Sequence, residues 1–497
     1  ESDTVGIKPV TLTVRWSDNS TATYEGQVLF SPTKAYVSLD GAHVWPFETK
    51  ENAATNVQQA IDAVYSDEEI TGEVEIAPGI YDSSRFDDAD WMVNIQRALR
   101  IYGSGATPAE TIIDAGRARR AFCLKHDNAA ISNLTVASAV SGKFIVKTGY
   151  AVHLAPGRID GCIITNCYSS YTSESIDEHC IYAEDNSIVA DCDILQNTVL
   201  ESGYASMGST VVINNSILRD SKIHHNIMRD RRGGTVRIYG SSALIENCKV
   251  YDNKASGVEY RDHCAGGISV SGSATVRNCE VFNNVDNNGA GRAHCAGISA
   301  FVNGASTTLA LIENCVITNN KCYANNGTVA GGVILNSGAI LRNSLVAGNL
   351  GNNTSVAGVW AKSGSKVENC TIANNGSASA TACGGLLIDG GMVTNCIVYG
   401  NLSSTADVKY NSGKVGYSCF SEEIAGVGNI NVDPRFRNVV NGDFTIRGKP
   451  KCVNGGIVLP WMNKDTLDLN GKPRKYGSRV DMGCYESQQG GFGIIIR

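Results

Sequence analysis

Proline and long apolar runs are scarce in this chain, and the charge balance is negative. Only 10 of its 497 residues are proline, against 53 glycines, which suits a fold built from many short strands and turns. No apolar run approaches the ~20 residues of a membrane-spanning helix. No cysteine pair has the CxxC spacing typical of zinc sites, so neither a bound metal nor a cofactor is expected. The net charge of -7 argues against nucleic acid as the main partner, because acidic surfaces repel polyanions.

What the chain does contain is a nine-residue phrase that recurs. It reads VRNCEVFNN at 276–284, IENCVITNN at 312–320 and VENCTIANN at 367–375. Weaker copies surround Cys162, Cys192, Ser221, Cys248, Ser344 and Cys396. Within a copy, small or β-branched apolar residues alternate with variable charged ones, which indicates a half-buried strand and not a helix. A loose period of this size predicts an all-β solenoid whose coils pair as parallel strands.

Asparagine occupies two columns of the repeat. The first ends each phrase, at Asn197, Asn226, Asn253, Asn284, Asn320, Asn349, Asn375 and Asn401. We interpret it as an internal ladder of amides at a sharp turn, where asparagine tolerates the left-handed conformation. The second column is Asn247, Asn278, Asn314, Asn343, Asn369 and Asn395, with Asp191 and Asp220 as variants. A cation site is the alternative, but a ladder explains the recurrence without a ligand.

Cysteine forms a third column. Seven of the 17 cysteines share one position of the phrase, where Ser221 and Ser344 replace them in two coils: Cys162, Cys192, Cys248, Cys279, Cys315, Cys370 and Cys396. Parallel in-register strands hold neighbouring Cβ atoms about 4.8 Å apart, beyond the usual disulfide range. We therefore predict buried, reduced thiols. Cys452 and Cys484 lie outside the column and are predicted to come close, with a disulfide between them if the protein is exported.

Five regions follow from these patterns. Residues 1–45 carry alternating strand patterns at 10–16 and 24–30, and 46–110 hold a capping helix and the first coils. In that helix, apolar residues fall at helical spacing after a predicted N-cap at Thr55 or Asn56. Coils with the Asn and Cys columns fill 111–413, a non-repetitive region follows at 414–489, and 490–497 form an apolar tail.

The segment from the capping helix through the Asn-Cys coils resembles bacterial right-handed parallel β-helix proteins of the pectate-lyase-like superfamily. The tail region is similar to the "choice-of-anchor Q" region, which closes many exported β-helix proteins. Its order of motifs carries that likeness: DPRF at 433–436, CVNGG at 452–456, DLNGKPR at 468–474 and DMGCYE at 481–486. The resemblance implies a right-handed parallel β-helix and export to the cell surface or medium, without implying an activity. The start at Glu1 without Met favours a processed, exported form.

A candidate catalytic strip lies in the long turns after the Asn ladder. Its residues are His179, Arg232, Tyr260, Asp262, His263, Arg292 and His294. His263 and His294 precede Cys-Ala-Gly in successive coils and are expected to stack. A His/Tyr/Arg group can abstract a proton beside a uronate whose carboxylate the arginines neutralise. The alternative is a repeated turn whose polar residues form salt bridges.

Three functions stay open at this stage. The first is an exported structural or adhesive surface protein that self-assembles head to tail, with Phe492, Ile494, Ile495 and Ile496 as a donated strand. The second is an extracellular polysaccharide lyase or hydrolase that uses the candidate strip. The third is a non-catalytic glycan-binding module. Self-association is the expected partnership, with a glycan as the alternative.

Overall fold

The computed structural model is a right-handed parallel β-helix, with one α-helix among the residues it describes. It describes residues 6–86, 91–140, 148–169, 178–200, 208–229, 234–255, 262–287, 293–301, 309–323, 328–336, 338–351, 356–377, 383–403, 406–475 and 478–487. The predicted tail strand with Phe492 and Ile494–496 therefore lies outside the described residues.

The N-terminal region contains an antiparallel hairpin and the capping helix. The strands Gly6–Arg15 and Thr21–Phe30 pair over their full length. The helix Val57–Ala63 begins at the N-cap Asn56, whose side chain accepts a hydrogen bond from the Gln59 amide at 3.2 Å. Asn56 is one of the two predicted caps, and the apolar face of the helix is buried as its spacing predicts.

Two of the parallel sheets, A and B, share their last two strands. Sheet A stacks Trp91–Ile95, Arg120–Leu124, Thr148–Leu154, Glu178–Ala183, Ser209–Asn214, Gly234–Tyr239, Asp262–Ser271, Ile298–Phe301, Val333–Leu335 and Val359–Lys362, with Ala293–Cys295 and Thr328–Ala330 on a side branch. Sheet B stacks Lys34–Val37, Gly72–Ile76, Leu99–Gly103, Ala130–Ser132, Arg158–Asp160, Ile188–Ala190, Ile217–Arg219, Leu244–Glu246, Thr275–Arg277, Leu311–Glu313, Ile340–Arg342 and Lys366–Glu368. Leu386–Thr394 and Val408–Gly416 continue both sheets.

Sheets C and D complete the coils. Sheet C has 14 strands: Gly79–Asp82, Thr111–Asp114, Thr135–Ala137, Ile163–Thr165, Asp193–Leu195, Lys222–His224, Lys249–Tyr251, Glu280–Phe282, Val316–Thr318, Leu345–Ala347, Thr371–Ala373, Ile397–Tyr399, Cys419–Phe420 and Ile430–Asn431. Sheet D has seven: Thr198–Val199, Ile227–Met228, Lys254–Ala255, Val285–Asp286, Lys321–Cys322, Leu350–Gly351 and Gly376–Ser377. A short antiparallel pair, Phe436–Asn438 and Asp443–Ile446, and the 3-10 helices Ser83–Arg85, Pro108–Glu110 and Val439–Asn441 lie outside these sheets.

The first Asn column is the internal ladder that the repeat predicts. From Asn197 to Asn375, each side-chain Nδ2 donates to the Oδ1 of the next ladder residue at 2.9 to 3.0 Å. Nδ2 also donates to a backbone carbonyl of the preceding coil, as Asn320 does to Val281 at 2.9 Å. These amides are almost wholly buried, so the ladder satisfies polar groups that would otherwise destabilise the core.

The left-handed turns occur one residue before that ladder, which corrects the sequence-based expectation. The residue preceding each ladder asparagine has a positive φ, for example 56° at Asn283 and 55° at Asn319. The second Asn column is left-handed throughout, from Asp191 to Asn395. Asparagine is favoured there because it adopts this conformation more readily than most residues.

The cysteine column is buried and unbridged, as predicted. The seven thiols are free, and each lies within hydrogen-bonding distance of the carbonyl two residues earlier, as Cys279 does with Arg277 at 3.1 Å. Ser344 makes the same bond to Arg342 at 2.8 Å and also accepts from the Cys315 amide at 3.1 Å. Burial raises the pKa of Cys162 to about 12, so this thiol stays protonated at neutral pH. The slot therefore accepts either a thiol or a hydroxyl.

The C-terminal region folds back over the outer face of sheet C. Phe444 and Cys484 pack with Leu345, Ala347 and Ala373. Ile446, Cys452 and Met482 pack with Ile397 and Cys419. Hydrogen bonds join the two parts, including Cys484 N to Thr371 Oγ1 at 3.1 Å and Ile457 N to Asn395 Oδ1 at 2.9 Å.

This packing shows that the prediction for the tail cysteines is wrong. Cys452 and Cys484 are both free and belong to different apolar clusters. The thiol that shares an apolar cluster with Cys452 is Cys419. The sequence does not reveal this arrangement, because it depends on how the non-repetitive segment returns to the last coils.

Among the described helices, none is long and apolar enough to cross a membrane.

Candidate functional site

Four residues of the sequence-predicted strip fall at or near the beginnings of sheet A strands. His179 lies in Glu178–Ala183, and Asp262 and His263 lie in Asp262–Ser271. His294 lies in Ala293–Cys295. For Asp262, His263 and His294 the structure describes the backbone alone, and Arg232, Tyr260 and Arg292 lie outside the described residues.

The expected stacking of His263 on His294 does not match the backbone register. The Cα partner of His294 is Cys264, and that of Ala293 is Asp262. The register shifts between Asp262 and Cys264, which leaves His263 at the irregularity. A shared Cys-Ala-Gly sequence did not reveal this, because a bulge in one strand changes the pairing without altering the motif.

His179 is the predicted residue that the structure places in a cluster of functional side chains. Its ring is buried and stacks on Tyr182, with centroids 5.3 Å apart and planes at 14°. Tyr182 meets His153 of the preceding coil edge to face at 5.5 Å. The His153 ring in turn lies 6.2 Å from that of Trp91. One connected row of rings thus crosses neighbouring coils of sheet A.

A second tyrosine extends the row in the other direction. The hydroxyl oxygens of Tyr182 and Tyr239 are 3.1 Å apart. We name Trp91, His153, Tyr182 and Tyr239 the aromatic strip. Its residues come from four strands of sheet A, and the alternation of each strand sends their neighbours Ile181 and Ile238 into the core.

Charged groups accompany the aromatic strip. The Arg120 guanidinium lies 5.2 Å from the ring centre of Trp91, and that of Arg237 lies 4.9 Å from that of Tyr239. His153 Nε2 is 3.4 Å from Glu184 Oε1. These contacts give the strip two cations, one carboxylate and an imidazole.

Burial decides the protonation states within the strip. It lowers the pKa of His153, and the opposing effect of the Glu184 carboxylate does not cancel this shift. The imidazole is therefore neutral near pH 7 and able to accept a proton. Burial also raises the pKa of Tyr182, and the bond with Tyr239 adds to that rise. Tyr182 thus serves as a hydroxyl donor or acceptor and not as a phenolate.

Sequence reasoning missed His153, Glu184, Tyr182 and Tyr239 because none of them stands in a recurring motif. A usable signal was present, however. His153 and Tyr182 are Cα partners in successive coils and lie between inward-pointing apolar neighbours. Two aromatic rings at one register position indicate a row on the outer side of the sheet, where neighbouring side chains leave His153 and Tyr182 only 8% and 4% exposed.

A second row of rings lies on sheet C and has a different geometry. His224, Tyr251 and Phe282 stack face to face with centroids 4.7 and 4.8 Å apart. His224 Nε2 lies 2.7 Å from Asp193 Oδ1. Because the rings cover each other's faces, the middle ring presents only its edges to solvent, and the row suits sheet stabilisation better than ligand stacking.

No metal site accompanies either row in the described part of the chain. No group of three or more His, Cys, Asp or Glu side chains there is arranged to hold a metal ion. The aromatic strip itself presents ring faces and edges, hydroxyl groups, guanidinium cations, the Glu184 carboxylate and one neutral imidazole.

Comparisons with known proteins agree with the fold. A family model described as a right-handed beta helix region matches residues 119–324. The solved structure of XylC with xylose is 9% identical, covers 92% of this chain and 99% of its own, and has a TM-score of 0.46. The A-module of the Azotobacter vinelandii mannuronan C-5 epimerase AlgE6 is 14% identical over 75% of this chain and 88% of its own, with a TM-score of 0.35.

Pectate lyase Pel9A is a third similar structure, 13% identical over 92% of this chain and 96% of its own, with a TM-score of 0.32. At these identities the likeness concerns the fold alone. No curated protein matches the chain. The likeness of residues 414–489 to a choice-of-anchor Q region stays an expectation, since the matched family model ends at residue 324. The chain is therefore similar in fold to right-handed parallel β-helix proteins.

Proposed function

We propose that this protein binds a glycan chain along the aromatic strip of sheet A. The observation that carries the proposal is the row of rings from Trp91 through His153 and Tyr182 to Tyr239, with a guanidinium group at each end. Successive coils lie about 4.8 Å apart, and the four residues are spread over six consecutive strands of sheet A. Trp91 and Tyr239 are partly exposed at the two ends, and His153 and Tyr182 are 8% and 4% exposed between them. A linear polymer of repeated units fits such an arrangement.

The chemistry of the strip favours a sugar polymer. Sugar rings combine apolar C–H faces with hydroxyl groups, and they require both ring contacts and hydrogen-bonding partners. Trp91 supplies a partly exposed indole. Glu184 supplies a carboxylate, and Arg237 supplies donors in a planar fork. The partly exposed Arg237 also favours substituents that carry negative charge, whereas Arg120 is 3% exposed.

The strip lies between residues 91 and 239, and its register position is not aromatic in every coil. The position of Tyr182 is taken in the following coils by Val212, Arg237, Ser269, Ser299, Ile334 and Trp360. Strand pairing in sheet A therefore does not require a ring at this position, and we assign the rings of the strip to ligand binding.

Calorimetric titration with a panel of neutral and acidic oligosaccharides tests this proposal. Trp91→Ala should weaken binding about tenfold or more, since a ring contact at a binding site is commonly worth about 1.4 kcal/mol or more. Tyr410→Ala is the matched control, because Tyr410 is 49% exposed on a distant strand. Binding that Trp91→Ala and Tyr410→Ala weaken equally, or no binding across the panel, would refute the proposal.

An assay for products with the same oligosaccharide panel separates binding from catalysis. His153 is a neutral base beside Glu184, and Tyr182 and Tyr239 form a pair of hydroxyl groups. These groups suit proton abstraction in a polysaccharide lyase. They are other residues than the His/Tyr/Arg group expected from the sequence. Unsaturated products that appear with the wild type and disappear with His153→Gln would assign catalysis to the strip. Binding without turnover assigns a glycan-binding module.

Self-association is the second candidate function, and one observation favours it. On the N-terminal hairpin, Leu12 and Tyr24 are Cα partners and are 62% and 57% exposed. A two-stranded hairpin is marginally stable alone, so a partner surface would stabilise this one. We propose that the hairpin accepts the tail strand 491–496 of another copy in an exported, adhesive filament.

Sedimentation of three proteins tests the filament proposal. The full chain should form concentration-dependent assemblies, whereas deletion of 490–497 and the variant Leu12→Thr/Tyr24→Thr should both stay monomeric with an intact β-sheet spectrum. Equal monomer content in all three would contradict it. Export to the cell surface or medium is tested separately, by locating the protein in the medium, surface and interior fractions of the cells that produce it naturally.

A further inference from the structure

An open cleft lies between the outer face of sheet C and the C-terminal region that folds over it. We name it the sheet C cleft. Its floor contains residues of the strands Val316–Thr318 and Leu345–Ala347, and the opposite wall is formed by the 3-10 helix Val439–Asn441 and Phe444. Its volume is about 480 Å³, which falls within the range of about 300–1,000 Å³ that small-molecule sites occupy.

A narrower extension continues the sheet C cleft along the solenoid. It shares Asn374, Val439 and Phe444 with the cleft, adds about 230 Å³ and reaches Tyr399 and Arg435. Cleft and extension together cross four successive strands of sheet C, from Val316–Thr318 to Ile397–Tyr399. At about 4.8 Å per coil, this passage is about 14 Å long, so it suits an elongated ligand.

Two asparagine amides line the sheet C cleft without a partner in the protein. Asn319 and Asn374 directly precede residues of the internal Asn ladder and have φ angles of 55° and 53°. Neither side chain forms a hydrogen bond within the described part of the chain. Gly348 takes the same position in the coil between them, and a Cβ there would lie 2.5 Å from Asn319 Oδ1. The glycine therefore leaves room for the Asn319 amide to extend along the cleft.

The lining combines apolar surface with polar groups and has no net charge. Leu345, Ala347 and Val439 offer aliphatic contacts. The charged side chains of the lining are Asp433 and Arg435, which have opposite signs. Sugar hydroxyl groups both donate and accept hydrogen bonds, as an asparagine amide does, and the C–H faces of sugar rings pack on apolar surface.

We infer that the sheet C cleft is a binding site for a short neutral saccharide. The unpartnered amides of Asn319 and Asn374 bond its hydroxyl groups, and its ring faces pack on the aliphatic floor. This site lies on another sheet than the aromatic strip and does not rest on the function proposed for that strip.

Calorimetric titration of the full chain tests the inference with five saccharides: methyl β-glucoside, methyl β-galactoside, methyl α-mannoside, cellobiose and lactose. At least one should bind saturably. Loss of one hydrogen bond weakens binding roughly fivefold, so Asn319→Gly/Asn374→Gly should weaken it about tenfold or more. Glycine adopts the positive φ of both positions, which preserves the backbone. The two single variants, each expected to lose roughly fivefold, keep the test decisive if the double variant does not fold.

Asn283→Gly is the matched control. Asn283 takes the same position in an upstream coil, with a φ of 56°, and does not line the cleft. This control and Trp91→Ala should bind the saccharide as the wild type does. Loss of binding in Trp91→Ala with retention in the double glycine variant would assign the saccharide to the aromatic strip and overturn the inference. Equal affinities of the glycine variants and Asn283→Gly, or no saturable binding of any of the five saccharides, would overturn it as well.

Discussion

Arg474 donates two hydrogen bonds to the side chain of Asn343, although 131 residues separate them. Its Nη2 and Nε atoms lie 2.6 and 3.0 Å from Asn343 Oδ1. The guanidinium is fully buried, and its Nη1 lies 2.7 Å from Glu486 Oε1. Asn343 belongs to the second Asn column of the solenoid. The C-terminal region is therefore anchored to a repeated position of the β-helix by a buried charge.

Removing this anchor should release the C-terminal region. Arg474→Ala leaves Asn343 Oδ1 and the Glu486 carboxyl group without the guanidinium donors. Burial raises the pKa of Glu486 to about 8, so the cost is that of lost buried hydrogen bonds, about 1–3 kcal/mol for each unsatisfied group. Limited proteolysis should then cleave within the C-terminal region while the upstream coils stay protected. Arg447→Ala is the control, since Arg447 is exposed. Equal protease resistance of both variants would contradict the anchoring role.

The internal Asn ladder should be sensitive at its centre. Asn320→Ala removes the acceptor of two Asn284 donors and the donor to the Val281 carbonyl. Each buried unsatisfied group costs about 1–3 kcal/mol, so a clear fall in melting temperature is expected. Asn278→Gly provides the control, because Asn278 is exposed and its φ of 54° suits glycine. A ladder variant as stable as that control would show that the amides contribute little.

The cysteine column should accept serine at small cost. In Cys279→Ser, the hydroxyl can donate to the Arg277 carbonyl as the thiol does. It can also accept from the amide of the preceding coil, as Ser344 does. We expect a change below about 1 kcal/mol, within the range of mild substitutions. Cys279→Leu should destabilise by roughly 1–3 kcal/mol, because extra methylene groups overpack a filled slot. Chemical denaturation of both variants measures the difference.

Stability should fall in mild acid because of His153. Burial lowers its pKa from the usual value of 6.5, so the unfolded chain binds the proton more readily than the folded one. This contribution is fully present above about pH 6.5 and is lost as the pH falls through the interval down to the folded pKa. The melting temperature of His153→Gln should therefore fall less than that of the wild type between neutral and mildly acidic pH. Parallel curves for both proteins would exclude this assignment.

The sequence predicts the solenoid and its ladders because every coil repeats the same physical problem. The positions of Asn320 and Cys279 are predicted correctly, because stacking in register places residues of the same type beside each other in successive coils. The capping helix is also predicted from the local sequence, because apolar residues fall at helical spacing after Asn56. These features depend on short stretches of chain and on a single period.

The features that the sequence does not predict arise from contacts without a period. The grouping of Cys452 with Cys419 in one apolar cluster, in place of Cys452 with Cys484, depends on the return path of a segment with no repeat. The aromatic strip combines residues of different types from separate coils, so no sequence motif predicts it. The shifted register at His263 shows the same limit, because a single bulge changes pairing without a sequence signature.

Hydrogen exchange with the best-binding oligosaccharide is the most direct test of the proposed glycan site. We expect added glycan to slow exchange in the strands Trp91–Ile95, Thr148–Leu154, Glu178–Ala183 and Gly234–Tyr239, which carry the aromatic strip. Exchange in the sheet C strands Lys249–Tyr251 and Glu280–Phe282 should stay unchanged. Protection confined to sheet C or to the C-terminal region, with none in the four sheet A strands, would contradict the account.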